Sequence, residues 1–317
     1  MTAKQRILVT GGVGYVGRET VGQLVEAGED EVHVIDNLAC GEHRLAKMDQ
    51  SRFTLHRADI RDADAIRKVL GAVKPDTIIH LAAIHYIPTC EAEPGRAVGV
   101  NVQGTVNLLD AAPQGTRFVF ASTAAVYAPS DDAHVEEQIG SGPVDIYGLT
   151  KQHGERFVRY YHENGKVRGV IVRLFNVVGS GETNPHLAPA IIEQISDGNN
   201  RLNLGNLFPH RDYIDVRDAA HGFRALAKAE TKGEGLIVSN LGTGRTHEVG
   251  DVVKLIAKAS GLDVTIHQDQ SRVRAVDRPM LKASTERLRS LTGWAPAITL
   301  EESMRAAWAT RAEDRLR

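Results

Sequence analysis

Tyr147 and Lys151 stand four residues apart in the run Tyr147-Gly148-Leu149-Thr150-Lys151. On a helix, that spacing puts both side chains on one face. A phenol beside an ammonium is a candidate acid/base, because the positive charge favours the phenolate and draws its acidity toward neutral pH. By itself the pair is common on helix surfaces. Its weight comes from its place, after the fifth in a series of expected strands. Ser122 and Thr123 close that fifth strand and would face the same crevice. A hydroxyl there can donate to a substrate oxygen and share the proton path, or it can simply cap the strand end.

A second constellation is the run Thr10 to Gly17, a G-x-x-G-x-x-G loop with Gly11, Gly14 and Gly17 at its fixed positions. It follows a short apolar strand and opens a helix. Glycine lets the backbone turn sharply and approach a pyrophosphate, which the helix N-terminus then holds with free N–H groups. Asp36 ends the next apolar run, nineteen residues after Gly17. A carboxylate there accepts both ribose hydroxyls and repels a 2′-phosphate, so the expected dinucleotide is NAD rather than NADP. The plainer reading of Asp36 is a turn residue ahead of Asn37. Asp59-Ile60 follow the third strand and Leu81-Ala82-Ala83 the fourth. Both lie at the carboxyl ends of strands, where such sheets bind ligands. Asp59 can accept from an adenine amine, and the small Ala82 and Ala83 leave room for a cofactor.

These residues need a scaffold, and the hydrophobic pattern supplies one. Apolar, β-branched runs over 7–10, 32–35, 53–55, 77–81, 117–121 and 169–174 alternate with amphipathic stretches over 15–27, 63–70, 100–112 and 147–164. Continuous apolar strands separated by helices imply a parallel sheet covered on both faces, the doubly wound α/β (Rossmann) class. After Phe175 the rhythm changes. Gly, Asn and Pro cluster over 176–189, helices are expected over 190–196 and 217–229, and a strand over 236–241. The expected division is a dinucleotide-binding domain over 1–174, with returns to the sheet near 214–246. A smaller, interleaved, substrate-binding lobe covers 175–317.

Composition narrows the field. The 317 residues are 42% hydrophobic and 25% charged, with a net charge of -2. Nothing at that level points to nucleic acid or a membrane surface. Two cysteines are no disulfide framework and fit a reducing compartment. The apolar run after the N-terminus is too short for a leader or a span, so a cytoplasmic protein is expected. No H-E-x-x-H and no Cys/His cluster of ligand spacing occurs, so no metal is expected. Cys90 has no electropositive neighbour in sequence and reads as an inert small residue.

Taken in order, Thr10-Gly11-Gly12-x-Gly14-x-x-Gly17, Asp36-Asn37-Leu38, Asp59-Ile60, His80-Leu81-Ala82-Ala83, Asn101-Val102-Gln103-Gly104-Thr105, Ser122-Thr123-Ala124-Ala125-Val126-Tyr127 and Tyr147-x-x-x-Lys151 resemble the extended short-chain dehydrogenase/reductases. The likeness continues through Arg173-Leu174-Phe175-Asn176, the run Arg211 to Asp218, and Asn240-Leu241-Gly242-Thr243-Gly244. It covers almost the whole chain. It is to the nucleotide-sugar epimerase/dehydratase family, and most of all to its UDP-galactose 4-epimerases.

The resemblance implies that Tyr147 takes the proton of a sugar 4-hydroxyl while C4 passes hydride to NAD. The keto sugar then rotates and hydride returns to its other face. Thr123 or Ser122 assists, and Lys151 holds the nicotinamide ribose. Tyr15, Val16, Asn37, His85 and Asn101 join the cofactor residues. Asn176 and Arg211 hold the substrate diphosphate, with Arg278, or Arg274 as the alternative, as a second phosphate arginine. It also implies a homodimer through the helices after Asn101 and Tyr147. Ala124-Ala125 replaces the Asp-Glu pair that 4,6-dehydratases carry there, which disfavours dehydration. The run Leu204-Gly205-Asn206-Leu207 is similar to GDP-sugar dehydratases and 4-keto reductases and leaves the nucleotide base open. A 4-keto-sugar reductase and a non-enzymatic NAD-sensing protein of the same fold are the rival readings.

Overall fold

Each of the first six apolar runs becomes a strand, because each is too short and too β-branched to be anything else once helices cover both of its faces. The computed structural model describes residues 4–28, 31–39, 42–137, 142–182, 184–229, 235–273 and 278–314. The strands are β1 (Arg6–Thr10), β2 (Glu31–Asp36), β3 (Thr54–Arg57), β4 (Thr77–His80), β5 (Thr116–Thr123) and β6 (Val167–Leu174). Between them lie α1 (Tyr15–Ala27), α2 (Glu42–Leu45), α3 (Ala63–Val73), α4 (Ile87–Ala92), α5 (Pro94–Val98), α6 (Gly104–Ala111) and α7 (Ile146–Glu163). The helix expected over 100–112 begins instead with a wide π-turn, Gly99–Gln103, before α6.

Downstream come β7 (Asn176–Val178), α8 (Leu187–Ser196), β8 (Arg201–Leu204), β9 (His210–Asp215), α9 (Val216–Lys228) and β10 (Ile237–Leu241). They are followed by β11 (Thr246–His247), α10 (Val249–Ser260), β12 (Thr265–Gln268), β13 (Met280–Leu281), α11 (Glu286–Thr292) and α12 (Leu300–Asp314).

The main sheet is parallel throughout, in the order β10-β6-β5-β4-β1-β2-β3. The chain winds outward from β1 in one direction and from β4 in the other, so a crevice opens at the carboxyl ends of that central pair. One face buries Val9, Val21, Leu24 and Phe223 against α1 and α9; the other buries Ile66, Leu70, Leu108 and Phe120 against α3, α6 and α7. Among the described residues after β6, only β10, with α9 laid beside α1, returns to this sheet. Ile214 and Asp215 of β9 pair with β7, and β9 also pairs with β11 and β13, in a separate four-stranded sheet. The return to the main sheet is thus narrower than the expected 214–246. The lobe has its own core, with Ile191, Ile195, Leu202, Val252, Ile256 and Met304 packed between α8, β8, α10 and α12. Among the described residues, no helix is long and apolar enough to cross a membrane.

Candidate active site

A cleft of about 720 Å³ runs along the carboxyl ends of the main sheet and under the lobe. At one end is the glycine loop. Gly11 adopts φ +69, and a Cβ there would come within 2.8 Å of the Ala82 backbone; one on Gly17 would lie 1.9 Å from the Gly11 carbonyl oxygen. A side chain at Gly11 would collide with the loop after β4, and one at Gly17 would push α1 off the glycine loop. Helix α1 starts at Gly14 with no side-chain cap and no acid in its first turn. Its first N–H groups therefore face the cleft with no carboxylate competing for them, which suits the pyrophosphate of a dinucleotide.

Asp36 stands beside this loop at the end of β2. One carboxylate oxygen accepts from Val13 N–H (3.0 Å) and the other from Leu38 N–H (2.8 Å). Those bonds hold Leu38 at φ 59, a left-handed conformation that costs a non-glycine residue about 1–3 kcal/mol. Asp59 is engaged more fully. Arg61 donates to both of its oxygens (3.0 and 2.7 Å) and Asn37 to one (3.2 Å). The Arg61 bonds, with that of Asn37, lower its pKa to about 2 despite some burial. Any adenine amine at Asp59 must share an oxygen already in use.

The wall between β4 and the lobe is set by buried hydrogen bonds. His80 bridges Thr10 (2.7 Å) and Thr105 (2.9 Å), and Thr10 accepts from Ala82 N–H (3.3 Å). Asn101, expected at the cofactor, lies outside the cleft. It is fully buried; its Oδ1 accepts from Ile84 N–H (2.8 Å), and its Nδ2 donates to Ile84 C=O (2.9 Å) and Thr150 (3.0 Å). It ties the loop after β4 to α7, with both of its amide hydrogens engaged. His85 does line the cleft, 2.9 Å from Asn184 Nδ2. Desolvation in the cleft wall, with the Lys151 and Arg44 charges, lowers its pKa to about 4.

At the centre, Asp145 caps α7 by accepting from Gly148 N–H (2.7 Å), which aims the first turn at the end of β5. Tyr147, Lys151 and Glu155 follow at four-residue steps. Burial raises the Tyr147 phenol well above its ordinary value, and the nearby Thr123 hydroxyl opposes that rise. The expected lowering by Lys151 is absent from the free site. Lys151 is itself 2% exposed, and burial lowers its pKa to about 7. Its ammonium donates to Ala121 C=O (2.7 Å) and lies 4.9 Å from the Phe120 ring centroid. Thr123 also accepts from Ala125 N–H (3.1 Å). Ser122 lines the cleft as well, and its hydroxyl donates to Glu155 (2.5 Å). Glu155 in turn takes a bidentate bond from Arg173 (2.9 and 2.8 Å). This buried clamp fixes α7 to the ends of β5 and β6. Cys90 is buried, which raises its thiol to about 11 and leaves it inert.

The substrate side of the cleft carries Asn176 at the start of β7 and Arg211 on β9. Arg211 donates to the carbonyls of His210 (3.0 Å) and Arg278 (2.8 Å). Arg278 lines the cleft too, but its guanidinium donates to Ala125 C=O (2.9 Å) and stands 3.5 Å from Asp145. Two protein groups thus already hold part of the fork expected at a phosphate. Arg274 lies outside the described residues. Gly11, Gly14, Tyr15, Val16, Gly17, Asp36, Asn37, Asp59, Ile60, Leu81, Ala82, Ala83, His85, Thr123, Tyr147 and Lys151 all line the one cleft.

Sequence reasoning missed Glu155, although its spacing from Lys151 was a signal. It also missed Glu182, a cleft carboxyl whose pKa burial raises to about 8; no pattern pointed to it. Among the described residues, no group of three His, Cys, Asp or Glu side chains is placed to hold a metal.

The sequence profile of the NAD-dependent epimerase/dehydratase family matches residues 7–242. A UDP-glucose 4-epimerase of Lacticaseibacillus casei is 30% identical over 95% of each chain. A GDP-6-deoxy-D-mannose reductase of Pseudomonas aeruginosa is 28% identical over 98% of this chain and 99% of its own. Among solved structures, the Thermus thermophilus UDP-glucose 4-epimerase complex with NAD superimposes with a TM-score of 0.83 at 27% identity, over 96% of this chain and 98% of that one.

Proposed function

The chain belongs to the NAD-dependent epimerase/dehydratase family, and we propose that within it this protein epimerises C4 of a nucleotide-diphosphate hexose of the UDP-glucose/UDP-galactose type. The observation that carries this reading is the placement of Tyr147 and Thr123 in one cleft at the end of β5, where Ala124 and Ala125 put no acid or base next in line. Elimination of water needs such a pair; proton transfer at one oxygen does not.

Each residue then has a task. The N–H groups that open α1 hold the pyrophosphate, and Asp36 accepts the adenosine ribose hydroxyls. Lys151, anchored on Ala121 C=O, donates to the nicotinamide ribose. A bound NAD would supply the hydride acceptor and donor for C4, and its positive charge would favour ionisation of the phenol. Burial keeps Tyr147 protonated until such a charge arrives. Beside that charge the phenol ionises and gives its proton to solvent; the phenolate then takes the proton of the sugar 4-hydroxyl, with Thr123 sharing the hydrogen bond, and gives it back on reduction. Arg211 and Asn176 hold the diphosphate. The hexose itself is gripped loosely, as turning its other face to the cofactor requires.

Incubation of the pure protein with UDP-glucose, UDP-galactose and their N-acetyl and GDP counterparts tests this. Interconversion at C4 without added reductant is the expected result. Loss of water from the sugar would mean a dehydratase and would overturn the argument from Ala124 and Ala125.

A second reading is favoured by one segment. Leu204, Gly205 and Asn206 line the cleft in a run similar to GDP-sugar enzymes, and the Pseudomonas relative is a GDP-sugar reductase. Conversion that consumes NADH or NADPH stoichiometrically would select that reading. The proposal extends to a cytoplasmic homodimer. Leu149 and Tyr160 of α7 are 40% and 62% exposed on one of the helices expected at the contact.

A further inference from the structure

We propose that Arg278 is a positioning residue that couples the substrate-gripping strand β9 to the helix bearing Tyr147. The inference rests on the reading of Tyr147 as the acid/base.

Backbone and side chain of Arg278 belong to two different parts of the molecule. On the backbone side, its carbonyl accepts from Arg211 (2.8 Å), and the next carbonyl, Pro279, accepts from His210 N–H (2.8 Å). Met280 and Leu281 then pair with His210 and Arg211 as β13 against β9. The segment is therefore fixed to the arginine that is to hold the diphosphate.

The side chain runs the other way, into the floor of the cleft, and is 7% exposed. It donates to Ala125 C=O at 2.9 Å and stands 3.5 Å from the Asp145 carboxylate, whose side chain is 11% exposed. Both groups support the reacting residues directly. Asp145 caps α7 two residues before Tyr147, accepting from Gly148 N–H, and its carbonyl accepts from Leu149 N–H (3.0 Å). Ala125 N–H donates to the Thr123 hydroxyl. Gly148 rests on the same Ala125 carbonyl so closely that a Cβ would come within 2.7 Å of it. The fork of Arg278 thus holds the Thr123 turn and the Tyr147 turn together.

Arginine suits this task because its planar fork serves two acceptors at fixed geometry, whereas a lysine ammonium is a single point on a flexible stem. A displacement of about 1 Å in a reacting group costs on the order of 10²-fold in rate. Losing the brace should therefore lower kcat while leaving the diphosphate contacts in place.

The test compares Arg278→Met, Arg278→Lys and Asp145→Asn with Arg211→Ala, after NAD titration of each variant confirms an intact cofactor site. Arg278→Met should lower kcat by roughly 10- to 10²-fold, with KM for the nucleotide sugar changed less than about threefold, and Arg278→Lys should recover part of the loss. Asp145→Asn keeps a capping side chain and removes the charge. Adding it to Arg278→Met should cost no further rate, because the two act as one unit. Amide hydrogen exchange over residues 146–150 should quicken in Arg278→Met. A raised KM with unchanged kcat would make Arg278 a phosphate ligand and overturn the proposal; so would unchanged kcat and unchanged exchange. If Arg278→Met fails to bind NAD, the Arg278→Lys and Asp145→Asn results decide by the same criteria. A wild-type protein inactive on every sugar would defeat the epimerase reading instead, and the exchange measurement would still judge the brace.

Discussion

Lys151 should cost the free protein stability at and below neutral pH, so that replacing it strengthens the fold while destroying activity. Burial takes the amine from its usual 10.5 to about 7. At about 1.36 kcal/mol per pKa unit, that fall corresponds to about 5 kcal/mol of penalty on the buried charge. Lys151→Met removes the penalty and keeps most of the side-chain volume. It also deprives the Ala121 carbonyl of its donor, which costs about 1–3 kcal/mol. The net expectation at pH 6 is a gain of about 2–4 kcal/mol. Below pH 7 the amine is charged in both folded and unfolded chains, and folding bears the whole desolvation cost. Between about 7 and 10.5 the unfolded chain binds a proton that the folded chain lacks, so wild-type stability rises with pH through that window. Above it the amine is neutral in both states, the penalty on the charge is gone, and only the lost bond to Ala121 C=O still separates the variant from wild type. Urea unfolding of cofactor-free wild type and Lys151→Met, followed by circular dichroism from pH 6 to pH 10, measures the gap. A variant less stable than wild type at pH 6, or a gap that does not change with pH, would refute the reasoning.

Tyr147→Phe keeps the ring in its buried place and deletes the proton carrier. kcat should fall by about 10²–10⁴-fold with KM little changed; full steady-state rates on the active substrate check this, and a near-wild-type kcat would remove Tyr147 from the chemistry. Asp36→Ala should narrow the preference for NAD over NADP, since the carboxylate that repels a 2′-phosphate is gone. Fluorescence titration with both dinucleotides reads it, and an unaltered ratio would leave Asp36 only its bonds to Val13 and Leu38. Arg211→Ala should raise KM for the nucleotide sugar more than it lowers kcat, because a charge-assisted contact to the diphosphate is lost in ground and transition states alike. An unchanged KM would make Arg211 a purely structural support for residues 210 and 278.

Much of the site was legible because its logic is local. Apolar runs and their spacing sufficed for the sheet: a β-branched stretch with a helix on each side has one stable use. The glycine loop, Asp36 at a strand end and the Tyr147–Lys151 step depend on residues within one or two turns of each other, and nearly all of the expected residues line one cleft. The lobe was harder. Its strands are short, and β9 finds its partners in β7, β11 and β13, pairings that no periodicity in the chain announces.

What only the tertiary structure decided was how each polar group is spent. Asn101 and Ser122 read as site residues from their neighbours in sequence, yet Ile84, Thr150 and Glu155 occupy their hydrogen bonds. Arg278 read as a phosphate ligand, and it is held by Ala125, 153 positions away. Lys151 read as the group that acidifies the phenol, and burial lowers its own pKa instead. The reason is common to all four. Residue type and spacing establish what a side chain is able to do, whereas desolvation and partner choice depend on distances that exist only after distant segments have packed.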